Sequence, residues 1–154
     1  MAERFDPEPI EDLLSYQFKN PELLKQALTH TSVLNESRRT RRGGNDALAT
    51  VGDAVLDLVV AAHLYGNSSS LGPFLTSEKG DLTIGRSKLV NNDGLAEFFE
   101  KTHLNQHLRV STGQKHFGTT TGMLAQTYEA IIGAIFLDSD YKMAEEFVRR
   151  TMSL

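Results

Sequence analysis

The feature that most constrains the fold is one apolar segment, Asn45 to Tyr65. Leu48, Val51, Val55, Leu58, Val59 and Ala62 recur there with a period near 3.6, so the segment predicts a long helix with an apolar stripe. Two residues interrupt it, Gly52 and Asp53. A glycine inside a helix costs about 1 kcal/mol relative to alanine, and a buried carboxylate needs a partner or a cation. Asp46, Asp53 and Asp57 lie at intervals that stack them near one helix face.

A second segment, Met123 to Leu137, is apolar apart from Gln126, Thr127, Tyr128 and Glu129, and predicts a buried helix. Glu129 directly precedes the run Ala130 to Phe136, which contains Gly133. If the two helices pack side by side, Gly52 and Gly133 permit close approach. Asp53 and Glu129 then face one another and can hold a hard divalent cation through oxygen. Simpler roles compete with that one. Asp46 can cap its helix, Asp57 can be a solvated or interface residue, and Asp53 or Glu129 alone can pair with a buried Lys or Arg.

The rest of the chain reads as further helices and joints. Asn20-Pro21 predicts an N-cap followed by proline at the first helical position, with Leu23, Leu24, Ala27 and Leu28 at helical spacing. Thr29 to Thr31 predicts a helix exit and re-entry, and Asn35 to Gly44 a polar loop. Apolar patterns follow through Leu82, Leu89 and Val90, then Leu95 to Phe99, with one short turn over Leu104 to Leu108. Ser111 to Gly122 is rich in glycine and threonine and predicts a surface loop. Ala144 to Met152 predicts a last amphipathic helix. Nothing alternates with period two, so the expectation is one all-α domain over residues 1–154.

Composition removes several function classes. There is no cysteine, hence no disulfide framework and no thiolate ligand or nucleophile. No histidine pair shows trustworthy ligand spacing, and His30 reads as structural. No apolar run is read as a bilayer span and no leader is read at Met1, so no membrane partner and an intracellular location are expected. The formal net charge of −4 argues against gripping nucleic acid over the whole surface. It leaves room for a local basic patch, and Arg38, Arg39, Arg41 and Arg42 supply a candidate, although a solvated loop is the commoner fate of a charge run.

Asn45 to Leu56, read as Asn-Asp-Ala-Leu-Ala-Thr-Val-Gly-Asp-Ala-Val-Leu, resembles the ribonuclease III signature N-E-x-L-E-F-L-G-D-x-x-L. Phe18 to Leu24 with Ala27 to Ser32 resembles that family's opening, Gly80 to Thr83 with Leu89 to Asn92 its middle, and Glu129 to Asp138 its second acidic motif. The resemblance implies an all-α endonuclease domain that dimerises into a valley for double-stranded RNA and uses Mg2+ or Mn2+. Asp53 and Glu129 then stand at two of the family's four usual ligand positions and serve as the catalytic metal ligands. Asp46 stands at an outer acidic position, and Arg86 at a basic position expected to bind RNA with the four loop arginines.

The departures fall on the same site. Ala49 and Gln126 occupy the other two ligand positions, so a weakly held metal is expected. Thr50 stands where an aromatic residue usually plugs the partner subunit. The mini ribonuclease III branch is similar in having alanine at the position of Ala49, in lacking the aspartate at that of Gln126, and in lacking a double-stranded-RNA-binding domain, which is not expected here either. Two functions therefore stand side by side. One is a metal-dependent duplex-RNA endonuclease. The other is a degenerate RNA-binding or assembly subunit with ribonucleoprotein partners.

Overall fold

A computed structural model of the chain describes residues 4–36, 43–66, 79–90 and 92–154. The elements are α1 (Glu8–Leu14), α2 (Pro21–Ala27), α3 (Thr31–Glu36), α4 (Asp46–Gly66), α5 (Lys79–Leu89), α6 (Asn92–Thr102), a 3-10 turn (Leu104–His107), α7 (Thr112–Phe117), α8 (Thr121–Asp138) and α9 (Tyr141–Met152). Pairing of the β type among the described residues is confined to an isolated parallel bridge between Thr29 and Arg109. The all-α expectation holds.

Two helices make the centre. α4 and α8 form the most extensive helix–helix contact, with α2, α6 and α9 also on α8 and α5 and α9 also on α4. α4 has the length and apolar composition of a membrane span, counter to the reading of the sequence. Here it is the central helix of the core, burying Leu48, Val55, Leu56, Val59, Val60 and Leu64. Its contact with α8 depends on two glycines. A Cβ on Gly52 would lie 1.7 Å from the Glu129 carbonyl oxygen, and one on Gly133 would lie 2.1 Å from the Leu48 carbonyl oxygen. The helix-propensity penalty of Gly52 thus gives backbone-to-backbone packing. That packing sets Asp53, one residue beyond Gly52, close to Glu129.

Caps define the outer elements. The Asn20 side chain accepts from Glu22 N with Pro21 next to it, as the sequence implies, and Asp140 caps α9 by accepting from Met143 N. Asp138 ends α8, where a carboxylate meets the unfavourable end of the helix dipole. It is compensated by the Tyr16 hydroxyl at 2.8 Å and the backbone N–H groups of Lys19 and Asn20 at 2.9 and 2.8 Å. This clasp ties the segment between α1 and α2 to the central helix. Farther along, Phe98, Phe99, Tyr128 and Phe147 pack with edge-on and tilted ring contacts, locking α6 and α9 onto α8.

A second expectation also fails. Ser111 to Gly122 is not wholly loop, because α7 occupies its middle. Ser111 caps it by accepting from Gln114 N. The Glu36 carboxylate accepts from the N–H groups of Thr112 and Gly113 at 3.1 and 3.3 Å. A negative side chain from a distant helix thus satisfies the first-turn donors that a glycine-rich sequence leaves bare.

Candidate metal cleft between α4 and α8

Asp46, Ala49, Thr50 and Asp53 from α4 and Gly122, Ala125, Gln126 and Glu129 from α8 line one open cleft of about 380 Å³. The structure therefore brings together Asp46, Ala49, Asp53, Gln126 and Glu129, from segments that meet only through the packing of the two helices. Arg38, Arg39, Arg41 and Arg42 lie outside the described residues.

The carboxylates differ in surroundings. Glu129 is partly buried, and its carboxyl is pushed up to about 7, first by desolvation, then by the negative charge of Asp53, with Asp57 adding and Arg86 opposing. Burial and the neighbouring carboxylates together disfavour its charged form, and the Arg86 guanidinium offsets them only in part. Asp46 accepts a hydrogen bond from Gln126 Nε2, which also donates to Asn45 Oδ1 at 3.0 Å. Asn45 is fully buried. Its N–H donates to the Thr29 carbonyl at 2.9 Å, and its Nδ2 donates to the Ala27 carbonyl at 3.3 Å. Two acceptor oxygens face the Gln126 side chain, and its amide NH2 donates to both. Position 126 is a donor to both Asn45 and Asp46, a role no spacing argument supplies.

Arg86 occupies an unforeseen place. From α5 it donates through Nη2 to Asp53 Oδ1 at 3.3 Å and through Nε to Asp57 Oδ1. The pairing that competes with metal binding at Asp53 is thus present, with an arginine read from the sequence as an RNA contact. Asp57 is an ion-pair partner and does not line the cleft. Ala49 is buried at 6% exposure and gives the cleft an apolar wall. His30 is structural: its Nδ1 lies 2.9 Å from Ser32 Oγ and accepts from Ser32 N.

The residues suit a hydrated divalent ion better than a closed cage. Among the described residues, no three Asp, Glu or His side chains converge as a ready ligand set. Asp53 and Glu129 nevertheless share the cleft lining. Magnesium is commonly held through one or two carboxylates, with water and phosphate completing the shell.

A pH dependence follows. Unfolded, Glu129 ionises near 4.5, and folded near 7. Between those values the folded state binds more protons, so this group's stabilising contribution is full below the first and lost as pH rises through the second. Thermal unfolding in chelator should show Glu129→Gln gaining on the parent between about pH 4 and about pH 8, on either side of that window. Parallel pH profiles would mean that Glu129 ionises normally.

A family model described as ribonuclease-III-like matches residues 20–153. The Ribonuclease 3 of Listeria monocytogenes is 34% identical over 147 residues, covering 94% of this chain and 62% of that protein. That of Bdellovibrio bacteriovorus is 38% identical over 143 residues, covering 92% and 58%. The chain thus spans about three fifths of the length of these relatives. The nuclease domain of ribonuclease III from Campylobacter jejuni superposes with a TM-score of 0.81 at 32% identity, covering 96% of both chains. With the α4–α8 architecture shared over nearly its whole length with that nuclease domain, this chain belongs to the ribonuclease III family.

Proposed function

We propose that this chain is a metal-dependent endonuclease of double-stranded RNA, acting inside the cell in RNA processing. The carrying observation is the α4–α8 cleft, whose lining brings Asp53 of one helix and Glu129 of the other into one space. Asp53 and Glu129 would hold Mg2+ or Mn2+, which when bound activates water and stabilises charge on the phosphodiester. The chain's own residues set the rest. The Gly52–Gly133 contact fixes the separation of the two helices. Gln126 bonds Asp46 within the cleft lining. Ala49 leaves space where a longer acidic side chain would reach inward. The Arg38–Arg42 segment is assigned to phosphate contact without base reading, since the major groove of A-form RNA is too deep and narrow for side chains. Cleavage of a duplex RNA on addition of magnesium, and none without it, tests the assignment.

A second reading has specific support. Gln126 on Asp46, and Arg86 on Asp53 and Asp57, give these carboxylates partners within the protein that need no metal ion, as in a degenerate RNA-binding or assembly subunit. Absence of magnesium-dependent cleavage, with duplex binding retained, would decide for it.

We also propose a two-fold homodimer through α4. Thr50, Ala54, Leu58, Ala61 and Tyr65 form an exposed stripe on its outer side, with Leu58 56% and Tyr65 66% exposed. Such a face covered by its own copy would set two clefts on one valley. Leu58→Asp should leave only monomer by light scattering at tens of micromolar, roughly the range of weak dimer affinities. A parent protein already monomeric there would remove the dimer.

A further inference from the structure

Asp53 and Asp57 are one turn apart on α4, an arrangement in which like charges repel. Both are bound by the same guanidinium, Arg86 Nη2 on Asp53 at 3.3 Å and Arg86 Nε on Asp57. Asp53 lines the cleft and Asp57 does not. The guanidinium therefore has one hand on a cleft carboxylate and the other on an anchor outside it. An arginine cannot be discharged by deprotonation. A cation that comes to Asp53 must share that carboxylate with Arg86 or move it. The side chains of Arg86 and Asp53 are 39% and 47% exposed, and pairs so open to water are weak. The contact is exchangeable, where a fully buried one would hold the carboxylate against the metal.

We propose that Arg86 is a resident counter-ion of the cleft, which a divalent cation displaces from Asp53 while Asp57 keeps it tethered beside the site. This rests on the metal-site reading of Asp53 and Glu129. It gives Asp57 a role that the metal site itself leaves unfilled. It also reconciles the two faces of Arg86: an ion-pair partner in the metal-free protein, and a cation released toward a bound phosphate once the metal is in place. The metal's apparent affinity is lowered by the contact it has to break, so weak binding becomes a built-in property of the cleft.

The test is a calorimetric Mn2+ titration of the full chain and of Arg86→Gln, Arg86→Lys and Asp53→Asn. Arg86→Gln should bind Mn2+ roughly fivefold more tightly, the scale of one partly exposed ion pair. Arg86→Lys keeps the charge and should stay near the parent. A merely structural arginine would not tighten metal binding when lost. In the parent protein, independently of any variant's folding, the Arg86 Nη nitrogen resonances should move on Mg2+ addition while Nε–H stays hydrogen-bonded. Mn2+ affinity that is unchanged or weaker in Arg86→Gln, or static Arg86 resonances, would overturn the counter-ion role alone if Asp53→Asn abolishes binding. Binding that survives Asp53→Asn would overturn the metal site and the counter-ion role with it.

Discussion

Gly52→Ala is expected to destabilise the protein by about 3 kcal/mol or more, lowering the melting temperature by roughly 10 °C for a domain of this size. Helix propensity points the other way, since alanine is favoured over glycine by about 1 kcal/mol in a helix interior. The tertiary contact is the larger effect. The new methyl would lie 1.7 Å from the Glu129 carbonyl oxygen, 2.6 Å from its carbon and 2.8 Å from the Gly133 nitrogen. All three are backbone atoms, so no side chain can turn aside and the two helices must separate. The separation also moves Glu129 away from Asp53, and a displacement near 1 Å at a reacting centre can cost on the order of a hundredfold in rate. Gly113→Ala is the control. Its methyl meets nothing within 4 Å, and it should be neutral or slightly stabilising. A Gly52→Ala protein that melts with the parent would mean that α4 and α8 do not touch there.

Asp53→Asn and Glu129→Gln should each reduce magnesium-dependent cleavage of duplex RNA by more than about a hundredfold, beyond what loss of an outer-shell partner costs. Each keeps the shape of the side chain and removes the charge a divalent ion needs. The fold should survive both. Asp53→Asn leaves Arg86 its contact to Asp57. Glu129→Gln removes a carboxyl that resists ionisation, so above about pH 7 the metal-free variant should melt higher than the parent. Initial rates on a short duplex and melting curves in chelator read the two effects separately. Cleavage that persists in Asp53→Asn would take the metal out of the α4–α8 cleft.

Much of this site was legible in the sequence because the relevant signals are local or of one residue type. The 3.6-residue periodicity of Asn45 to Tyr65 and Met123 to Leu137 specifies two apolar helices wherever they end up. Each carries one glycine beside or near one acid, and that pairing foretold a close contact between helices. Asn20-Pro21 announced its cap, because the cap is completed within two residues, and His30 read as structural, a role its local contact with Ser32 fills. Composition excluded thiol chemistry outright.

Other features were decided only by the tertiary structure, since their partners lie far apart in the chain. α7 is held by Glu36, more than seventy positions away, so its glycine-rich sequence reads as loop. Gln126 looks like a missing ligand until Asn45 and Asp46 are placed against it, and then it is a donor between two acceptors. Asp138 reads as part of an acidic motif but clasps the segment before α2. Arg86 reads as a nucleic-acid contact until the packing of α5 on α4 sets it against Asp53 and Asp57. By itself the sequence determined which residues could bear charge near the core and which helices would carry them. The balance of charge in the cleft was left to tertiary packing, because a hydrogen bond or ion pair depends on a few ångströms between groups whose separation along the chain carries no information about their distance in space.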